Sequence, residues 1–209
     1  MGRSRRCRYG LSGFYDCTQP FRLEEVTQVA PDIAVCPECL SDWMRQPHRL
    51  RYPFINCTHC GPRFSIIRDL PYDRKQTTMA AFAMCPDCRR EYTTVSDRRF
   101  HAQPVACNHC GPFYYAIYNN VKIKEYDKLL DLSVRLLREG EVIAAKGIGG
   151  YHLICDALNG EAVARLRAIK QRDSKPFAVM FRDMGHLRHY AEAGPVEEDC
   201  LSSWRRPIV

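Results

Sequence analysis

Four Cys-x-x-Cys pairs stand between Cys36 and Cys110, and no other feature of the sequence restricts its folding as much. Such a turn presents two sulfurs to one ion about 2.3 Å away, and two turns complete the four-thiolate tetrahedron of a closed zinc site. Seventeen residues separate Cys39 from Cys57, and 18 separate Cys88 from Cys107, both near the spacing of a module with four cysteine ligands. The expected ligand sets are Cys36, Cys39, Cys57 and Cys60 for one ion, and Cys85, Cys88, Cys107 and Cys110 for a second. Full thiolate ligation leaves no position for water, so both sites are expected to be structural, and no residue is assigned a catalytic role.

An internal repeat supports this pairing. Cys36-Pro37-Glu38-Cys39, then Arg51 to Asn56, then Cys57-Thr58-His59-Cys60-Gly61-Pro62 is matched by Cys85-Pro86-Asp87-Cys88, then Arg99 to Pro104, then Cys107-Asn108-His109-Cys110-Gly111-Pro112. Each copy holds two knuckles and can close by itself, and closing 17 or 18 residues costs less entropy than closing the 45 between Cys39 and Cys85. Interleaved pairing stays open on sequence grounds. Gly61 and Gly111 are expected to let backbone amides reach the sulfurs, and His59 and His109 to be exposed polar residues. Arg49, Arg51, Arg63, Arg98 and Arg99 stand among Tyr52, Phe54, Phe64 and Phe100. That mixture either grips nucleic acid by charge and stacking or consists of aromatics filling a small core with arginines solvating it.

Composition limits the class. Twelve cysteines in 209 residues suit a disulfide-rich secreted chain, but regular Cys-x-x-Cys pairs do not, and the basic start Arg3-Ser4-Arg5-Arg6 has no apolar stretch behind it. A cytoplasmic setting with metal-bound thiolates is expected; Cys7, Cys17, Cys155 and Cys200 are left as free thiols. The formal charge of +7 falls to about +3 once eight thiolates and two divalent ions are counted, which weakens the case for a polyanion partner.

The chain divides into three parts: a tail over 1–30 with one short strand near Phe21 to Val26, the cysteine region over 31–118, and an α/β region over 119–209. In the last part, apolar residues from Leu129 to Leu137 fall at helical spacing, Val142 to Ala145 and Tyr151 to Cys155 read as strands around a glycine turn, and Ala162 to Ile169 as a second helix. Phe177 to Phe181 reads as a further strand, and Trp204 to Val209 as the opening of another, which suggests a truncated domain. The fold class is α+β: two tandem, small, zinc-ribbon-like modules followed by an incomplete α/β domain. Lys146 follows a strand, and Lys170, Arg172 and Lys175 lie at a helix end and in the loop after it.

The segments from Arg51 to Phe64, Asp97 to Pro104 and Lys146 to Leu153 resemble the HypF carbamoyltransferases of [NiFe] hydrogenase maturation. The resemblance covers about 31–209 and makes the third part the N-terminal part of a YrdC-like domain. It implies a protein that, when complete, uses carbamoyl phosphate and ATP to form carbamoyl-adenylate and carbamoylates a cysteine of a HypE-type partner. Lys170, Arg172 and Lys175 match the Lys-x-Arg motif of YrdC-like domains, so the resemblance implies that they, with Lys146, bind nucleotide and carbamoyl-adenylate phosphates. The family's acylphosphatase domain has no counterpart in the tail, so this chain alone is expected to be inactive. A stand-alone zinc module for RNA or protein is the competing class, and a Cys-x-x-Cys redox protein a third.

Overall fold

A computed structural model describes residues 29–209 and, within the first 28, only the antiparallel strands β1 (Arg6–Arg8) and β2 (Phe14–Asp16), with Cys7 opposite Tyr15. The strand expected over 21–26 lies outside the described residues, as do the side chains of Cys7 and Cys17.

The first knuckle of each repeat starts a helix. Cys36 caps α1 (Pro37–Arg45) and Cys85 caps α2 (Pro86–Thr93), each with proline in the first helical position and an acidic residue, Glu38 or Asp87, in the first turn. Proline suits that position because its missing N–H would have no helical partner there. The first and second sulfurs of each cluster therefore sit at a helix N-terminus, where the aligned peptide dipoles favour negative charge.

The second knuckles pack on these helices. Cys39, Tyr52, Ile55, Cys57, Cys60, Ile66, Met79 and Ala106 form one buried cluster, with Trp43, Phe54, Tyr72 and Phe82 against its edge. Cys88, Ala102, Val105 and Cys107 form a smaller one. Ala106, from the second repeat, lies in the first cluster, so the two modules share a core. The segment between the modules is held by Arg74, whose guanidinium donates to the carbonyls of Gln103 (2.6 Å), Val105 (2.8 Å) and Phe82 (2.8 Å).

Beyond the second module, β3 (Ala116–Tyr118) and β4 (Val121–Ile123) pair antiparallel and lead into α3 (Tyr126–Arg138). Next come the antiparallel pair β5 (Ile143–Lys146) and β6 (Tyr151–Ile154), then α4 (Gly160–Lys170). Asn159 caps α4 by accepting from the Ala162 amide at 3.1 Å. The elements expected over 127–169 are present. Their core is thin: Leu132, Ala162 and Leu166 are its buried apolar residues, while Val134 and Ile169, on the expected buried faces, stay exposed. Two short helices follow, α5 (Met184–Leu187) and α6 (Pro195–Ser202).

Two expected strands do not form. Residues 177–181 pair with no strand among the described residues; the guanidiniums of Arg167 and Arg172 lie 5.1 and 5.2 Å from the Phe177 ring instead. Near the C-terminus the Trp204 carbonyl accepts one bond from the Ala34 amide (2.9 Å) and no ladder continues from it. An extended apolar run becomes a strand only beside a partner that takes its amides and carbonyls in register. No helix among the described residues is long and apolar enough to cross a membrane.

Candidate metal centres

Cys36, Cys39, Cys57 and Cys60 place their sulfurs within 4.8 Å of one another, and so do Cys85, Cys88, Cys107 and Cys110. The grouping is sequential. In the first cluster Cys36 to Cys57, Cys57 to Cys60 and Cys60 to Cys39 are 3.8, 3.7 and 3.6 Å apart. In the second, Cys85 to Cys107 is 3.6 Å and Cys107 to Cys110 is 3.8 Å. A disulfide would bring two sulfurs to about 2.05 Å. Four sulfurs each about 2.3 Å from a central zinc lie about 3.8 Å apart along the tetrahedron's edges, which is the spacing found. The donor set therefore fits one zinc ion per cluster, fully coordinated. Zinc held this way supplies a cross-link and has no site for substrate.

Backbone support comes from one residue inside each knuckle. The His59 amide donates to the Cys57 sulfur and the His109 amide to the Cys107 sulfur, both at 3.4 Å, while the two imidazoles are exposed. The amides of the glycines themselves go elsewhere: Gly61 N–H donates to the Ile33 carbonyl (2.8 Å) and Gly111 N–H to the Cys107 carbonyl (2.9 Å). The glycines are needed for conformation and space. Gly61 has φ +95°, where L side chains are strained, and a Cβ on Gly111 would lie 2.0 Å from the Tyr52 hydroxyl and 2.7 Å from the Ala106 Cβ. Gly111→Ala is expected to lower the stability of the zinc-loaded chain by about 1–3 kcal/mol in urea denaturation. Gly149→Ala, where an added Cβ meets nothing within 4 Å, should stay within about 0.5 kcal/mol.

The arginines adopt an arrangement that neither sequence reading describes. Arg49 and Arg99 are buried, and each inserts into the opposite repeat. Arg49 Nε donates to the Ala106 carbonyl (3.0 Å) and its Nη1 to Glu91 (2.8 Å), while Arg99 Nε donates to the Asn56 carbonyl (3.1 Å) and its Nη2 to Asp42 (2.6 Å). Main-chain bonds follow the same exchange: Asn108 N–H to the His48 carbonyl (3.0 Å), Thr58 N–H to the Arg98 carbonyl (3.1 Å). The sulfurs take part as well. Arg49 Nη2 lies 3.3 Å from the Cys88 sulfur, and Arg98 Nη2 lies 3.2 Å from that of Cys39. The repeats are thus related by an approximate two-fold axis, the first arming the second site and the reverse.

Burial pushes the carboxyls of Glu91 and Asp42 up, but the guanidinium bonds, from Arg49 to Glu91 and from Arg98 and Arg99 to Asp42, together bring both below their usual range. Burial lowers Arg49, and the Glu91 contact together with the nearby Cys88 and Cys107 sulfurs more than restores it. Arg63 also turns inward, donating to the carbonyls of Cys57 (2.9 Å) and Thr58 (2.7 Å). Of the five arginines considered for a nucleic-acid surface, Arg51 points outward, pairing with Asp127 at 2.7 Å.

The cations of the third part occupy an open surface. Lys146, Lys170 and Lys175 are exposed, and the Lys146 ammonium rests 4.8 Å from the Tyr151 ring. Arg172 donates to the Pro176 carbonyl (3.1 Å), and its buried Nε has no protein partner. No side-chain hydrogen bond or ion pair joins Lys146 to residues 170–175 among the described residues. Sequence reasoning missed Arg167, which shapes this loop: its Nη1 donates to the carbonyls of Arg172 (3.1 Å), Asp173 (3.1 Å) and Lys175 (3.4 Å). A cation in the last turn of α4 was the available signal.

Comparison with known proteins agrees with this layout. The HypF finger family matches residues 35–67 and 84–117, and the Sua5/YciO/YrdC family, described as "Telomere recombination", matches residues 135–209. The carbamoyltransferase HypF of Rhodobacter capsulatus is 52% identical over 183 residues, which are 88% of this chain and 24% of that protein. The HypF of Synechocystis sp. is 46% identical, over 88% of this chain and 24% of its own length. A full-length HypF crystal structure in the phosphate- and nucleotide-bound form superposes with a TM-score of 0.77 at 49% identity, over 85% of this chain and 23% of that one. The structure of T. kodakarensis HypF gives 0.80 at 46%, over 88% and 24%. With both finger copies and the Sua5/YrdC segment matched in order, the chain corresponds to a segment of the HypF-type carbamoyltransferases, spanning about a quarter of the length of the relatives it matches.

Proposed function

We propose that this chain supplies the zinc-finger pair and adjoining Sua5/YrdC-type segment of a carbamoyltransferase. In this reading the protein uses carbamoyl phosphate and ATP, forms carbamoyl-adenylate, and passes the carbamoyl group to a cysteine of a HypE-type partner. One observation carries it: 85% of the chain superposes on a HypF solved in a phosphate- and nucleotide-bound form, at 49% identity. Zinc in both clusters has a structural part, holding the helix ends and knuckles that precede the nucleotide segment. Lys170, Arg172 and Lys175 are the phosphate contacts, on a loop held by Arg167 and with one Arg172 donor unpartnered, while Lys146 approaches from the end of β5. Fixed cations there counter the charge that gathers as ATP is attacked.

The test is carbamoyl-phosphate-dependent pyrophosphate release from ATP. In a protein of the relatives' length carrying this segment, Arg172→Ala should lower that release at least about tenfold with both zinc ions retained. Full activity of the variant would remove Arg172 from the phosphate site. The 209-residue chain alone, given carbamoyl phosphate, ATP and a HypE-type partner, should release none; sustained release would show that this segment suffices.

A further inference from the structure

The two clusters do not depend on their own repeats alone. A four-thiolate zinc site carries about two negative charges, and groups that donate to its sulfurs offset them. In each cluster the guanidinium that does so comes from the other repeat. Arg49 lies between Cys39 and Cys57, so its position is fixed by the first cluster, yet it contacts Cys88. Arg98 lies between Cys88 and Cys107, so the second cluster fixes it, yet it contacts Cys39 at 3.2 Å and Cys36 at 3.8 Å. The carboxylates that hold these arginines cross in the same way: Glu91 for Arg49, and Asp42 for Arg98 and Arg99.

From this exchange we infer that the two metal sites fill and empty as a coupled pair, with Arg49 and Arg98 acting as positioning residues for the ion of the opposite repeat. An empty first cluster frees residues 40–56 and withdraws Arg49 from Cys88. An empty second cluster frees residues 89–106 and withdraws Arg98 from Cys36 and Cys39. Whatever one ion gains from the presence of the other, the other gains equally, because coupling between binding sites is reciprocal. The inference rests on the zinc reading of both clusters and adds a property that four-sulfur geometry alone does not require.

Native mass spectrometry of the 209-residue chain at one equivalent of zinc reads the coupling. Independent sites leave about half or more of the chains with a single ion, and unequal affinities only raise that share. About tenfold coupling lowers it to about a quarter, with empty and doubly loaded chains making up the rest. A singly loaded share of half or more overturns the inference. Failure to take up two ions even with zinc in excess overturns the zinc reading itself, so the two failures are distinguishable.

A substitution gives the direction. Arg98→Gln, at a partly exposed position, should speed zinc release about 10–100-fold from Cys36, Cys39, Cys57 and Cys60, mapped by the order in which cysteine peptides become alkylated under chelator. Arg49→Gln is the companion test, with Cys85, Cys88, Cys107 and Cys110 exposed first. Prior exposure of the substituted arginine's own repeat in both variants would show that the guanidiniums act locally and would overturn the crossed assignment.

Discussion

Chelation of zinc is expected to abolish the fold of residues 33–112, seen as loss of amide-exchange protection in α1, α2 and both second knuckles. Five of the buried apolar residues of this region, Cys39, Cys57, Cys60, Cys88 and Cys107, are proposed ligands, so without metal the core centres on unpaired thiols. Structural zinc contributes about 10–16 kcal/mol per site in small finger domains, while a whole domain is stable by only about 5–15 kcal/mol. The remaining contacts are too few to make up the loss. α1 and α2 have nine and eight residues, below the length at which a helix persists alone in water. Protection that survives complete chelation would show that side-chain packing, and not the metal, closes these modules.

Glu91→Gln is expected to cost about 3–5 kcal/mol, because it leaves the fully buried Arg49 without its counter-ion. Glu91 gathers three side chains of the opposite repeat, with Gln46 at 3.1 Å, Arg49 Nη1 at 2.8 Å and His48 at 3.4 Å, so the loss extends beyond one ion pair. Replacing both partners, Arg49→Met with Glu91→Leu, should recover most of that cost, since well-packed apolar substitutes for a buried pair are often neutral. Asp127→Asn, which breaks the exposed pair with Arg51, should cost under about 1 kcal/mol. Urea denaturation of the zinc-loaded variants measures all three. Equal effects of Glu91→Gln and Asp127→Asn would mean that Arg49 is not sealed from water.

The cysteine grouping was legible because a metal site writes its ligands at fixed spacing, and the repeat said which knuckles belong together. Helices α3 and α4 were legible from apolar periodicity, and the β5–β6 hairpin from the glycine turn between its strands. The helices after Cys36 and Cys85 were not read, although Pro37 and Pro86 at the first helical position, each followed by an acidic residue, marked them. They are short, and their N-termini are fixed by the knuckles, so a broad apolar face is not what defines them.

Buried arginines were missed for a different reason. A charged side chain is ordinarily solvated because moving it from water is costly, and only a waiting carboxylate and carbonyls make burial tolerable. That signal was in the repeat: Asp42 and Glu91 occupy matching places in α1 and α2, and Arg49 and Arg99 matching places before Cys57 and Cys107. What sequence could not say was that each arginine crosses to the other copy. It likewise could not say that residues 177–181 lack a neighbour, because an apolar run does not name the strand it would pair with.

Zinc stoichiometry combined with X-ray absorption at the zinc edge tests the two-site assignment most directly. Two ions per chain, each with four sulfurs at about 2.3 Å and no nitrogen or oxygen, are expected. A single ion per chain, or a shell that includes His59, His109 or water, would contradict two closed four-cysteine centres.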